Sequence, residues 1–393
     1  MLFFIITTSV LVLAYIYIGK RVISPAPFSR KIKKILWVFL MLLPLLMPLS
    51  FGLRFAFKNS LWIDLVGWIA FTIFAFFSFI VAFLLLRDLI ALLIVLITRI
   101  KKSITHTVKE YDPERRQFII NSVNLGIIGS SALMTGYGIH EARRDPILKE
   151  ITIAIASLPE GLEGLRIAQI SDLHVGPTIK RAFVQSVVED TNRLNADIIV
   201  CTGDLVDDLI SNIHKDVLPI KELSAPHGVY FITGNHEYYV GAQPWIEAID
   251  KLGLTVLLNN HVIIEHNSEN LVLAGVSDYT SGQFIPEHAS DPNKALINAP
   301  KNLVKILLAH QPRSIFSASQ AGFDLQISGH THGGQYFPWN LLVTLGQPYV
   351  KGLHKHNNTW IYINQGTGYW GPPVRVGVPS EITLFKLTRD KII

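Results

Sequence analysis

The first 140 residues alternate long uncharged apolar runs with short basic stretches. Leu2–Ile18 and Ile35–Leu53 contain no charge, and Leu61–Leu86 contains only Asp64. Such runs match the ~20 residues that a helix needs to cross a bilayer. None has the polar face expected of a helix on a water-soluble core. Phe118–Gly138 is a fourth predicted span, uncharged but richer in Gly, Ser and Asn. Leu89–Thr98 is too short to be another, and Arg87-Asp88 separates it from the third run. It reads as a cytosolic extension of the third helix.

From residue 151 the pattern changes to short β-type runs alternating with polar and helical stretches. Leu165–Ser171, Asp197–Thr202, Val229–Thr233, Leu271–Val276, Val304–Ala309 and Asp324–Ser328 are predicted strands. Phe183, Val187 and Val188 recur at helical spacing, so Arg181–Leu194 is predicted to cross over between the first two strands. Trp360–Asn364 and Glu381–Leu387 alternate apolar with polar residues and read as closing strands. The organisation expected is an all-α membrane region over 1–140, a tether over 141–160 and an α/β domain over 161–393. A chain of 393 residues has room for one large domain and such an appendage.

Charge orients the spans. The loop after the first holds Lys20, Arg21, Arg30, Lys31, Lys33 and Lys34, and the one before the fourth holds Arg99, Lys101, Lys102, Lys109, Arg115 and Arg116. Between the second and third lie only Arg54 and Lys58. The positive-inside rule places the two rich loops in the cytoplasm. The reading is a multi-pass inner (cell) membrane protein whose C-terminal domain is extracytoplasmic; one further span would reverse that side. Glu114–Ile119, with Arg115-Arg116, also resembles a twin-arginine export signal, and the alternative is that these arginines merely anchor the span. Residues 1–150 carry 18 Lys+Arg against 8 Asp+Glu, whereas residues 151–393 carry 17 against 22. The basic balance therefore reflects membrane topology, and the mildly acidic C-terminal part argues against nucleic acid as a partner. Cys201 is the single cysteine, so no internal disulfide is possible, and its apolar run marks it as a buried strand thiol.

Candidate chemistry is confined to the C-terminal part. Asp172-Leu-His174, Gly203-Asp204-Leu-Val-Asp207, Gly234-Asn235-His236-Glu, His310 and Gly329-His330-Thr-His332 occur in that order, each after a short apolar run. Each side chain would sit at the carboxyl edge of a strand, where open α/β sheets gather ligands. Asp, His and Asn are donors for divalent Mn, Fe or Zn. Seven or more at five strand ends are too many for one ion and suit a bridged pair. The other histidines, from His106 to His356, lie outside these motifs and read as surface or satisfied side chains.

Taken together, these motifs resemble the calcineurin-like metallophosphoesterases over roughly residues 164–388. Gly329–Gln335, reading Gly-His-Thr-His-Gly-Gly-Gln, looks most like their membrane-anchored bacterial branch. The resemblance implies a two-sheet sandwich flanked by helices and two divalent metal ions. It assigns Asp172, His174 and His332 to one ion, Asn235, His310 and His330 to the other, and Asp204 to both. It makes His236 the group that contacts phosphate and protonates the leaving oxygen, with Asp207 orienting it. Arg313 is a candidate substrate-phosphate contact; otherwise it is a solvated helix-start residue. The implied activity is hydrolysis of a phosphoric ester by a metal-bridging hydroxide; the four spans, more than retention needs, and the aromatic and cationic residues after the last motif point to a phosphodiester or lipid-linked phosphate as substrate. Rivals are a phosphatase for soluble monoesters, a UDP-sugar-lipid pyrophosphatase with a cytosolic site, and a non-catalytic membrane assembly protein. Intact ligands and an intact His236 argue against the last, and no obligate protein partner is evident. Tyr336, Phe337, Trp339, Tyr349, Lys351, His354, Tyr369 and Trp370 read either as a loop packed on the domain or as an interfacial lid.

The charge pattern makes a direct prediction. Reporter fusions after Lys20, Lys58, Lys102 and Ile393 are expected to read in, out, in and out. A cytoplasmic signal at Ile393 would overturn the four-span count.

Overall fold

A computed structural model of the chain describes residues 2–57, 61–102 and 112–389. Lys58, His106, Lys109 and Ile393, which entered the reading above, lie outside those residues. The chain divides into two compact units, Met1–His140 and Glu141–Ile393.

The first unit is helical: α1 (Leu2–Ile18), α2 (Arg30–Leu42), α3 (Leu46–Ala56), α4 (Leu61–Lys102) and α5 (Pro113–Arg143). Among the described residues, three helical segments are long and apolar enough to cross a membrane: Arg30–Arg54, Leu61–Ile100 and Pro113–Arg143. The predicted first span, Leu2–Ile18, is a helix of 17 residues. Within the second, a tight turn at Leu43–Leu45 carries Pro44, whose missing N–H and ring interrupt regular α geometry between α2 and α3. Leu89–Thr98 does continue the third helix, since α4 runs unbroken through Arg87-Asp88. Those charges are satisfied by neighbours: Asp88 accepts the Tyr17 hydroxyl at 2.7 Å and pairs with Arg21 at 2.7 Å. Arg87 donates to Asn124 Oδ1 at 2.6 Å, and Asn124 donates to the Arg21 carbonyl at 2.8 Å. Polar groups in an apolar surround are tolerated when they satisfy one another in this way.

In the second unit the strands are β1 (Ile147–Ala154), β2 (Arg166–Ile170), β3 (Ile198–Cys201), β4 (Val229–Phe231), β5 (Thr255–Val256) and β6 (Asn260–His266). They continue with β7 (Glu269–Gly275), β8 (Val304–Leu308), β9 (Leu325–Ser328), β10 (Gly352–His356), β11 (Thr359–Ile363) and β12 (Glu381–Thr388). They form two six-stranded mixed sheets, ordered β1-β12-β2-β3-β4-β5 and β10-β11-β9-β8-β7-β6. β2, β3 and β4 are mutually parallel in the first sheet, as are β7, β8, β9 and β11 in the second.

Side-chain alternation builds the layers. Ile167, Ile198 and Val200 point between the sheets and meet Leu271, Leu273, Ile306, Leu308 and Ile327. Ala168, Ile170, Ile199 and Cys201 point the other way, onto Val184, Val187 and Val188 of α6 (Arg181–Arg193), Ile213 of α7 (Ile210–Val217) and Trp245 of the helix Ala242–Lys251. Strands buried on both faces read as continuous apolar runs, which is why the sequence marks them so well. The sandwich flanked by helices is as expected.

Two expectations need correction. Residues 141–160 are not a free tether: Ile147–Ala154 pairs in parallel with β12, from Ile147↔Glu381 to Ala154↔Thr388. Ile153, near its C-terminal end, is fully buried, so hydrophobic burial helps hold this strand in the sheet. β11 and β12 are also buried almost throughout instead of alternating with solvent. The polar residues of β12 are neutralised internally: Tyr362 donates to Glu381 at 2.7 Å and Asn364 to Thr383 at 3.0 Å.

Candidate metal centre

Each parallel strand hands its chain to a loop at the carboxyl edge, and the motif side chains converge there. Asp172 and His174 follow β2, and Asp204 and Asp207 follow β3. Asn235 and His236 open α8 (Asn235–Val240) after β4; His310 follows β8, and His330 and His332 follow β9. Among the described residues three groups of ligand-type atoms result, Asp172/His174/His332, Asp204/His310/His330 and His174/Asp207/His236.

The separations suit shared cations. His174 Nε2 and His332 Nε2 face each other at 2.9 Å. Two nitrogens at right angles on one ion, each ~2.1 Å from it, lie about 3.0 Å apart. In the second group Asp204 Oδ2 is 3.1 Å from His310 Nε2, which is 3.3 Å from His330 Nδ1. The same Asp204 oxygen is 3.9 Å from His174 Nε2, so the carboxylate stands between the groups. Asn235 Oδ1 is buried without a hydrogen-bond partner, as an oxygen waiting for a cation would be. Outer partners fix the rings: His310 Nδ1 bonds the Thr202 carbonyl at 2.8 Å, leaving Nε2 for the centre.

Backbone conformation is the least expected feature. Asp172, His174, Asp204, His330 and His332 have φ of 55°, 53°, 50°, 73° and 50°. This left-handed region costs an L-residue roughly 1–2 kcal/mol. The loops are held there by bonds between them. His330 N–H donates to both Asp172 oxygens, at 2.9 and 3.0 Å, and His236 N–H donates to Asp204 Oδ1 at 2.8 Å. Glycine is required where loops touch: a Cβ at Gly234 would run into the Asp204 carboxylate, and one at Gly329 into Asp172 and Ser171.

Electrostatics sort the donors. Burial opposes the charge on Asp204, but His310 and His236 hold it well below the usual carboxylate range. Burial, with His310 nearby, drives His330 down to about 3, and burial with His174 and Arg375 holds His332 well below its usual value. Both therefore present free lone pairs at neutral pH. His310 is raised by Asp204 against the effect of burial, so its proton must leave when a cation arrives.

The model of the calcineurin-like phosphoesterase family matches residues 165–334. An uncharacterized metallophosphoesterase of Helicobacter pylori is 38% identical over 278 residues, covering 70% of this chain and 72% of that one. A zebrafish (Danio rerio) protein named transmembrane protein with metallophosphoesterase domain is 37% identical, over 64% of this chain and 60% of its own. A putative metallophosphoesterase of Caenorhabditis elegans is 34% identical, over 80% and 66% respectively. The chain belongs to the calcineurin-like phosphoesterase family. It is thus a metal-dependent phosphoric ester hydrolase with helices apolar enough for membrane association. Members use two divalent metals, and the first two of these His/Asp groups fit that requirement.

Within this member, Asp207 does more than its sequence position suggested. Its Oδ1 lies 2.7 Å from His236 Nδ1 and also 2.7 Å from His174 Nδ1, so one carboxylate orients both rings. Burial works against protonation of His236, but Asp204 and then Asp207 outweigh it and push the imidazole up to about 9. Asp208 accepts the Leu209 N–H at 2.7 Å and Asn212 Nδ2 at 3.0 Å. Arg313 is turned to the loop after the last ligands: it donates to the Gly346 carbonyl and lies 5.2 Å from the Tyr279 ring centroid.

Three neighbours escaped sequence reasoning. Glu237 is fully buried and accepts N–H bonds from Gly234 (2.7 Å), Leu205 (2.7 Å) and Asp204 (3.1 Å). A Glu three residues into a turn-to-helix junction was its available signal. Arg375 is fully buried beside His332, with its Nη2 3.1 Å from Nδ1, and donates to the carbonyls of Gln365, Gly368 and Val378. Asp278, past the end of β7, accepts Gln311 Nε2 at 3.0 Å. Nothing local in the sequence marks the last two.

Asp204→Asn is expected to lower bound metal below two per chain and abolish turnover while far-UV circular dichroism stays unchanged. Elemental analysis and hydrolysis of an aryl phosphodiester, made on one preparation, check this. Two metals with near-normal turnover would refute the shared position.

Proposed function

We propose that the protein hydrolyses a phosphoric ester carried by membrane lipid, a phospholipid-type diester or a lipid-linked phosphate, at an extracytoplasmic site of the inner membrane. The observation that carries this reading is an aromatic rim beside the metal centre, in a chain whose helices suit a bilayer. Tyr239 and Trp370 lie 5.1 and 5.7 Å from the His236 ring, and Phe284 lies 5.7 Å from Tyr239. Tyr239, Phe284 and Trp370 are all exposed. Such rings suit a substrate with one polar and one apolar end. The name of the zebrafish relative supports the membrane attachment. The basic loops support the extracytoplasmic side and disfavour a cytosolic UDP-linked lipid substrate.

In this reading Asp172, His174 and His332 would hold one cation and Asn235, His310 and His330 the other, with Asp204 available to both. Such cations would neutralise phosphate oxygens and lower the pKa of water at the site. The chain supplies the proton. Asp207 claims Nδ1 of His236, so Nε2 is free, and it lies 4.0 Å from Asp204 Oδ2 on the side of the ligands. Protonated Nε2 donates to the leaving oxygen as the P–O bond breaks.

His236→Ala is expected to keep both metals and lower kcat roughly 10²–10⁴-fold for an alkyl leaving group. The loss should be smaller for nitrophenolate, which needs no proton to depart. Equal losses for both would reduce His236 to a phosphate-positioning group.

The substrate class is tested with full-length protein in vesicles, stripped of metal and reloaded, against phospholipids, soluble diesters and monoesters. The expected kcat/KM is at least about tenfold higher for a lipid-borne ester, equivalent to ~1.4 kcal/mol of transition-state binding. Equal or lower values would favour a soluble extracytoplasmic ester.

A further inference from the structure

Between the last metal-binding motif and β10 the chain runs from Tyr336 to Val350 without a charged residue. Its centre is a single helical turn, Trp339–Leu342, followed by a tight turn at Val343–Leu345. Leu345 is 83% exposed, Leu341 58% and Leu342 50%, and Phe337 is exposed as well. Contiguous exposed apolar surface of this kind marks an interaction site.

The segment is also pinned. Arg313 donates to the Gly346 carbonyl, and its backbone N–H donates to Gln347 Oε1 at 3.2 Å. Gln347 Nε2 donates to Gln311 Oε1 at 3.1 Å, and Gln311 reaches the buried Asp278 carboxylate at 3.0 Å. Gln311 directly follows His310, so the chain of bonds roots the apolar turn beside the metal centre. A loop that merely lacked a place to pack would not need such an anchor.

We infer that Phe337–Leu345 is a membrane-docking surface whose leucines enter the headgroup boundary of the bilayer in which this chain's own helices reside. The occupant follows from two observations. The helices suited to crossing a membrane keep a bilayer within reach of every copy. The first charges after the uncharged stretch are the exposed Lys351 and Lys355, which complement anionic headgroups. The inference rests on the membrane attachment in the reading above and is independent of which ester is cleaved.

The native thiol Cys201 is buried, so an introduced surface cysteine can be labelled selectively. A nitroxide would be placed through Leu341→Cys, Leu345→Cys or, as an exposed control elsewhere on the unit, Lys251→Cys. The full-length chain would be held at one copy per nanodisc containing anionic lipid. Collisions with oxygen, which partitions into lipid, are compared with those of a water-soluble nickel chelate. Docking predicts that the 341 and 345 labels are open to oxygen and protected from the chelate, with the reverse at 251. Chelate access at 341 and 345 equal to that at 251 overturns the proposal. Protection from both reagents also overturns it, in favour of cover by protein. No turnover is read, so failure here is separable from failure of the phosphoesterase assignment.

Discussion

The centre depends on one buried carboxylate that touches no candidate ligand atom directly. Glu237 gathers the backbone N–H groups of Gly234, Asp204 and Leu205, which belong to loops from two different strands. It stitches the loop after β3 to the start of α8, and so sets the distance from Asp204 to Asn235 and His236. A buried acceptor with several backbone donors is favourable only while all of them stay in place. Burial and the nearby Asp204 push Glu237 up to about 7, so the stitch is made against electrostatic resistance. Its strength comes from the number of donors.

Around that stitch, the two sheets bring their parallel carboxyl edges together, and both contribute to the chemistry. Asp172, His174, Asp204, Asp207, Asn235 and His236 come from the first sheet, and His310, His330 and His332 from the second. Neither sheet carries a complete set of donors. The apolar layer between them, in which Ile167, Val200, Leu273, Ile306 and Phe385 are fully buried, therefore fixes ligand geometry as well as stability. Close packing transmits small volume changes in such a layer to its edges.

What was legible in the sequence follows from where each residue spends its interactions. β2, β3, β8 and β9 are buried on both faces and appear as unbroken apolar runs. The metal-site motifs are legible because their side chains do chemistry at fixed spacing. β1 escaped because Lys149, Glu150 and Thr152 break its apolar pattern and its partner, β12, lies more than 200 positions away. β6 and β10 sit at sheet edges, where one neighbour is missing and the apolar signal is diluted. Arg375 and Glu237 escaped for another reason: most of their partners are backbone groups, which every sequence has and none advertises. Arg313 likewise has contacts that its sequence position does not show, the Gly346 carbonyl and the Tyr279 ring.

The left-handed backbone at five of the metal-site residues also bears on how the protein responds to metal supply. An unfolded chain does not hold Asp172, His174, Asp204, His330 and His332 in that conformation, so it is a poor chelator. Cations would then favour the native form over the unfolded chain, and the difference would add to its stability by up to RT ln(1 + [L]/Kd). At a hundred times Kd this amounts to about 2.7 kcal/mol, a large share of what keeps a domain folded. Removing the cations would therefore take away part of the stability of the fold along with the chemistry.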